Sequence, residues 1–403
     1  MTPLSSDTPP PPRQVGLQDP RTGAPDHGLP CPAAGPADGA GLADGAGPAD
    51  GLDAVAILTE ARAAVDPALQ QAVGSLPVAM RRVARHHFGW ECDPAEAPGG
   101  SDGQDGAGER PAGGGAGKGI RPALMFAAAR ALGGRTAEVV RAAAAVELVH
   151  NFTLLHDDVM DRDTTRRHRP TAWTVFGVPG AILAGDALQA LAQRLLAEDP
   201  HPAAPAAAAR LAGCVVELCE GQQVDTALEQ CAPTEVTLDA CLTMAEAKTG
   251  ALIGCACALG ALYAGAQEET VAALDAFGRQ AGLAFQLIDD VIGIWGDPRN
   301  TGKPAGADLL ARKKSLPVVA ALTAGTPAAA AFAALYAAPV TRAGTDLERI
   351  VRAVELAGGR DWAQAQAADR MARAVQQLSG AIPDPVAAGG LLSLAEFVTR
   401  RTV

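Results

Sequence analysis

The sequence predicts an all-α protein, a single helical domain behind a disordered N-terminal tail. Three observations carry this. Hydrophobic residues make up 48% of the 403, but aromatic residues only 3%, so the core is built from Ala, Leu and Val, a composition that favours packed helices over a β-sandwich. From Arg121 onward apolar residues recur at helical spacing in one run after another, with no convincing series of alternating strands. The 45 Gly and 30 Pro are more than average usage and gather in two places.

The first of these is the tail. Residues 1–52 hold 11 Pro and 9 Gly, no aromatic residue and no Ile. Such a segment buries too little apolar surface to offset its ordering entropy. Ala-Asp-Gly recurs in it at 37–39, 43–45 and 49–51, too few copies for a repeat fold; docking to a protein partner or a compartment is the role open to it. The expected domain spans 53–403. Residues 53–90 look helical (Leu52-x-x-Val55-x-x-Leu58, then Val78-x-x-x-Arg82-Val83). Residues 93–117 are the second Gly/Pro-rich stretch, read as a flexible loop. Helical runs follow at about 122–132, 137–161, 179–197, 205–230, 235–264, 268–294, 314–323, 328–337, 344–356, 362–378 and 387–400.

Charge and cysteine narrow the function classes. The net charge of −12 argues against nonspecific binding to nucleic acid or anionic membrane. The eight Cys include no C-x-x-C pair, and read as small buried hydrophobes of a reducing cytoplasm. No cationic start followed by an apolar stretch marks a signal peptide. The uncharged run 315–341 is interrupted by Pro317, Gly325, Pro327 and Pro339, and the run 249–267 consists mainly of small side chains, so a buried helix fits better than a membrane span.

The informative chemistry is acidic. Within 147–167, Asp157, Asp158 and Asp161 form a DDxxD. Asp157 and Asp161 are four apart and point the same way on a helix. Carboxylates in an apolar helix cost free energy unless compensated, and like charges at that spacing repel. A hard divalent cation resolves both, since Mg²⁺ takes one or two carboxylates, waters and phosphate oxygens. A solvated acidic helix end is the bland alternative for DDxxD alone. A second apolar helix ending in Asp289-Asp290 weakens that alternative. Cations stand around the two clusters in a fixed order: Lys118 and Arg121 in GKGIRP, Arg166-Arg167, Lys248, Lys303 in GKPAGAD, and Lys313-Lys314. Acidic clusters that hold Mg²⁺, with Lys and Arg that fork onto phosphates, describe a diphosphate site.

This order of motifs resembles the trans-isoprenyl diphosphate synthases, the polyprenyl synthetase family, over roughly residues 75–400. The resemblance rests on GKGIRP at 117–122, the helix from His150 to Asp161, Arg166-Arg167, Lys248-Thr249, FQxxDD at 285–290 and GKPAGAD at 302–308. It implies an antiparallel helix bundle around a deep central cavity, usually a homodimer, that condenses isopentenyl diphosphate with an allylic diphosphate in a Mg²⁺-dependent reaction, with three ions. It further implies that Asp157, Asp161 and Asp289 bind the metal, with Asp158 in support. Lys118, Arg121, His150 and Arg167 would hold isopentenyl diphosphate, and Arg166, Lys248 and Lys303 the allylic diphosphate. Thr249 and Gln286 would line the reacting centre.

Two positions depart from the family pattern. The second motif reads Asp289-Asp290-Val-Ile-Gly293, lacking its fifth carboxylate; Asp297, two helical turns beyond Asp289, would either partly replace it or cap the next turn before Pro298. His168 stands where the family usually has Gly. Chain length is expected to be set beneath the first motif, where Phe152, Thr153 and, one turn deeper, Val149 lie. In the family a bulky residue five before the motif resembles short-chain synthases, and geranylgeranyl diphosphate (C20) fits better than farnesyl diphosphate (C15). Two other readings compete. A class I terpene cyclase needs N-x-x-x-S-x-x-x-E, which neither Asn151 nor Asn300 starts. An inactive partner subunit draws on Gly293, but the other motif residues are all present.

Overall fold

The computed structural model describes residues 53–90, 119–233, 235–296, 306–338 and 343–399. The tail, the glycine-rich stretch 93–117, Lys118, Asp297 and Lys303 lie outside them. Fifteen helices follow one another among the described residues. The helical run expected from residue 53 is two helices. α1 (Ala54–Gly74) is capped by Asp53, whose Oδ1 accepts from the Val55 amide at 3.0 Å. It stops before Pro77, and α2 covers Val78–Phe88. α3 (Ile120–Ala131) and α4 (Thr136–Met160) then form the heart of the bundle. Their alanines allow close packing, and Ala142, Ala143, Ala144 and Ala145 are fully buried.

Between α4 and α5 the chain makes a hairpin that no periodicity announced. Thr165–Arg166 (β1) pairs antiparallel with Arg169–Pro170 (β2). Arg167 and His168 form the turn with φ of 52° and 61°, both left-handed as a two-residue type I′ turn requires. Gly is the residue such a turn favours, which gives the His168 departure a structural cost.

α5 (Ala172–Ala197) is broken at Gly177, where φ is 80° and ψ 161°, and resumes at Pro179 as the sequence suggested. α6 (Ala204–Gln230) leads to α7 (Leu238–Ala245), a π-helical turn (Glu246–Gly250) and α8 (Ala251–Tyr263). The 28-residue α9 (Glu268–Trp295) lies against α8. A Cβ added at Gly278 would stand 2.7 Å from Gly254 Cα, so the two backbones meet without side chains between them. The remainder is a one-turn α10 (Ala307–Leu310), α11 (Leu316–Thr323), α12 (Pro327–Ala337), α13 (Ala343–Leu356), α14 (Gly359–Ala381) and α15 (Pro385–Thr399). α14 covers the other side of α9, while α15 folds back onto α1 and α3.

Two helical stretches, Ala172–Ala197 and Leu238–Tyr263, are long and apolar enough to cross a membrane by length and composition. The second is largely buried in the bundle. The first keeps an apolar face outward, with Val175 50% and Leu183 52% exposed.

Candidate active site

One cavity of about 1160 Å³ opens among the ends of these helices. α4 supplies His150, Thr153, Asp157 and Asp161 to it, residues three or four apart and therefore on one face. Phe152 and Leu154 of the same helix also line it. α9 faces α4 with Phe285, Gln286, Asp289 and Asp290. Arg121 enters from the start of α3, and Arg166 and Arg167 from the hairpin. The π turn contributes Lys248 and Thr249; a π turn carries an extra residue that re-aims side chains, a device common at functional sites. α6 comes close to that turn because Gly221 has no side chain, and a Cβ there would stand 2.7 Å from the Lys248 amide. Lys313 borders the cavity between α10 and α11, and Phe397 and Val398 of α15 border another part of it.

The acidic residues divide by surroundings. Burial pushes the Asp157 and Asp161 carboxyls up; Lys248 pulls both down, while Asp161 works upward on Asp157 and Asp163 on Asp161. Asp158 is on the far side of α4 from the cavity, 1% exposed, and accepts from Arg166 Nε at 2.7 Å. Its other oxygen has no partner, and burial raises its pKa to about 6. Asp158 therefore holds Arg166 in place. Asp290 is equally tied: Gln286 Nε2 donates to Oδ1 at 2.7 Å and the Leu316 amide to Oδ2 at 2.9 Å. Thr249 Oγ1 in turn donates to Gln286 Oε1 at 2.8 Å, so Thr249, Gln286 and Asp290 form one chain that fixes the π turn against α9. Among the described residues no three acidic, His or Cys groups converge into a finished ligand set.

The basic side has its own counter-charge. Glu147 is buried and borders the cavity. Burial raises its pKa, and Arg121 and Arg167 act against the rise. Asn151 Nδ2 donates to the Glu147 carbonyl at 2.8 Å and to Oε1 at 3.2 Å. His150 is half-buried; desolvation first, then Arg121, Arg167 and Arg166, hold its pKa well below the usual value, which favours the neutral imidazole in the free protein.

Of the residues expected in the site, the cavity gathers Arg121, His150, Phe152, Thr153, Asp157, Asp161, Arg166, Arg167, Lys248, Thr249, Gln286 and Asp289. Val149 is fully buried and does not border it. Asp225 and Glu147 were given no role from the sequence, yet both border the cavity, as does Lys313 of the expected cations. Asp225 Oδ2 accepts from Lys248 Nζ at 2.6 Å. The only signal for Asp225 was a polar stripe, Gln222 and Asp225, in an otherwise alanine-rich helix.

A helical chamber with carboxylates on two facing walls, cations around them and an apolar depth is built to bind a diphosphate that carries a hydrocarbon chain. The model of the polyprenyl synthetase family matches residues 113–354. A geranylgeranyl diphosphate synthase of Mycobacterium tuberculosis is 47% identical over 348 residues, 86% of this chain and 93% of its own length. A (2E,6E)-farnesyl diphosphate synthase of Mycobacterium bovis is 41% identical over 349 residues, covering 86% and 92%. The crystal structure of a polyprenyl synthetase from Streptomyces coelicolor A3(2) superposes with a TM-score of 0.76 at 40% identity, covering 86% of this chain and 99% of that one. The chain belongs to the polyprenyl synthetase family, and it is a short-chain trans-prenyltransferase.

Proposed function

We propose that the chain condenses isopentenyl diphosphate with an allylic diphosphate and stops at geranylgeranyl diphosphate. The observation that carries the product length is Phe152, which borders the cavity one to two turns beneath Asp157. The 47% identical geranylgeranyl diphosphate synthase supports the same length. A C15 product is the second reading, favoured by the 41% identical farnesyl diphosphate synthase.

Arg121, His150 and Arg167, with Lys118, would hold the diphosphate of isopentenyl diphosphate. Neutral His150 serves as a hydrogen-bond donor there, and the arginines carry the charge. Arg166, Lys248 and Lys303 would hold the allylic diphosphate. Asp157, Asp161 and Asp289 would bind Mg²⁺, which when bound draws negative charge from the leaving diphosphate. Asp290 and Asp158 are engaged by protein donors and act as struts. Lys248 must exchange Asp225 for phosphate oxygens as substrate enters, so its charge arrives where the diphosphate departs. Phe152, Leu218 and Leu252 give an apolar lining that keeps water from the allylic cation. The C3–C4 double bond of isopentenyl diphosphate attacks that cation, and the proton then lost goes to the departed diphosphate.

The outward apolar face of α5 (Val175, Ile182, Leu183), with Val216 of α6 69% exposed, supports a homodimer, whose mass sedimentation would measure. All six described cysteines are free thiols, which fits a cytoplasmic site of action. The domain is read as 53–403, with 1–52 as an appended tail.

The test is incubation of the purified protein with Mg²⁺, isopentenyl diphosphate and each of dimethylallyl, geranyl and farnesyl diphosphate, with products resolved by mass spectrometry. A C20 product is expected from all three. C15 as the end point would replace the C20 reading, a cyclised hydrocarbon would point to cyclase chemistry, and no turnover would overturn catalysis.

A further inference from the structure

A second cavity, of about 20 Å³, lies between α2, the hairpin and the start of α5. Arg166 and Arg167 border it and the main chamber alike, whereas His87 and Asp158 border the small cavity and not the chamber. His87 belongs to none of the motifs from which the site was read. Its neighbour His86 fixes the spacing of the walls. His86 Nε2 donates to the Pro170 carbonyl at 2.9 Å, and its ring meets Phe176 edge-on with centroids 5.4 Å apart. α2 is thereby tied to the hairpin and to α5.

Two buried acceptors face this space. Asp158 is 1% exposed; its Oδ1 accepts from Arg166 Nε at 2.7 Å, and its Oδ2 has no partner among the described residues. His87 is half-buried, but its Nε2 is enclosed and equally unpartnered. Asn151 settles which nitrogen of that ring carries the hydrogen. Both amide hydrogens of Asn151 go to Glu147, at 2.8 and 3.2 Å. In its hydrogen bond with the His87 ring Asn151 therefore accepts, through Oδ1, and the donor is Nδ1 because Nε2 is unpaired. Burial, then Arg166 and Arg167, keep the ring neutral. A neutral imidazole protonated at Nδ1 presents a lone pair at Nε2.

We propose that the small cavity is a binding site for one water molecule, which donates one hydrogen to His87 Nε2 and the other to Asp158 Oδ2, and that His87 is thereby a positioning residue for Arg166. The volume of about 20 Å³ exceeds the roughly 10–15 Å³ that one water needs. Water is a small neutral donor of two hydrogens, which is what two facing acceptors require, and its oxygen is left to accept from the bordering arginines. The link runs from α2 through His87, the water and Asp158 to Arg166. It holds the Asp158 carboxylate in the orientation that grips Arg166 Nε. The consequence for substrate rests on the reading that Arg166 holds the allylic diphosphate.

The experiment joins a high-resolution crystal structure of the full chain with steady-state kinetics. A water at about 2.5–3.2 Å from both His87 Nε2 and Asp158 Oδ2 is expected; clear density for both side chains with no water between them would overturn the site. His87→Leu removes the acceptor and is expected to raise KM for farnesyl diphosphate about tenfold, the scale of one lost hydrogen bond to a charged group, with kcat changed less. His87→Gln sets an amide oxygen near the place of Nε2 and is expected to return KM to within about twofold of the parent. Leu and Gln are close in size, so the difference between them reports the hydrogen bond and not packing. A folded His87→Leu enzyme with the parental KM would overturn the positioning role, and His87→Met takes its place in the assay where the Leu variant does not fold. Parent protein that holds the water but gives no prenyl product would count against the catalytic reading and leave the water site standing.

Discussion

Replacing Phe152 with Ala should lengthen the product by one isoprene unit. Phe152 lies five residues before Asp157, about 7.5 Å along the helix axis at 1.5 Å per residue. Its ring borders the cavity and meets His156 edge-on, centroids 4.9 Å apart at 77°. The side chains one turn deeper on α4, Leu148 and Val149, are fully buried and do not border the cavity. Removing the ring makes that layer the new floor, about 5.4 Å lower. An isoprene unit adds four carbon–carbon bonds of about 1.5 Å along a zigzag, roughly 5 Å in all. One turn of helix therefore equals one unit, and C25 is the expected main product. Val149→Ala alone should leave the length unchanged, because Phe152 screens it; added to Phe152→Ala, it should lengthen the chain again. The truncation costs stability as well, at the lower end of the 3–5 kcal/mol typical for Phe→Ala, about 3 kcal/mol, since one face of the ring already borders open space. The assay is chain-length analysis of products from farnesyl and isopentenyl diphosphates, with thermal melting to verify folding. A folded, active Phe152→Ala enzyme with the parental product would show that another side chain sets the limit.

Three more predictions concern the hairpin and its surroundings. Arg166→Ala leaves Asp158 buried without a partner; breaking a buried pair costs about 3–5 kcal/mol, and because Arg166 is 29% exposed roughly 2–3 kcal/mol is expected by urea unfolding. Asp158→Asn in that background should restore much of it, and no recovery would show that the charge is not what destabilises. His168→Gly relieves a left-handed backbone at φ 61° and should stabilise by about 0.5–1 kcal/mol, net of the chain entropy that glycine adds; a lower melting temperature would refute this. His87 is pushed down to about 3 by burial, then by Arg166 and Arg167. As pH falls from 6.5 the unfolded chain takes the proton first, so stability is lost, by up to about 2 kcal/mol at pH 5. His87→Gln should shrink the difference in unfolding free energy between pH 7.5 and pH 5 by that amount, and an equal pH dependence in both proteins would sink the assignment.

The helices were legible because alanine-rich amphipathic runs repeat at a fixed period, and both acidic walls because Asp157, Asp161 and Asp289 interrupt such runs. What the sequence hid depends on contacts between distant segments. Asp225 matters because α6 passes the π turn, a proximity that Gly221 permits and no local pattern announces. The hairpin was invisible because its strands have two residues each and its turn uses Arg167 and His168 in place of the usual glycine and asparagine. The carboxylate that stands against Gly293 belongs to Asp308, fifteen residues on and brought back by a turn at Gly306, a proximity no local pattern announces.

The position of α15 has a consequence in time. Gly390 stands against Ile57 and Ala127, at 3.5 and 3.6 Å from a Cβ built on it, and Phe397 and Val398 border the same chamber as Asp157. On the ribosome, at roughly 5–20 residues per second, about 5–20 s pass between the emergence of Asp289 and that of Phe397. Throughout that interval both acidic walls exist while the chamber still lacks its last wall. Joining the first helix to the last is also the longest-range closure in the fold, the kind of contact that slows folding. The nascent enzyme thus has its charged groups well before it has the enclosure that keeps water from a carbocation.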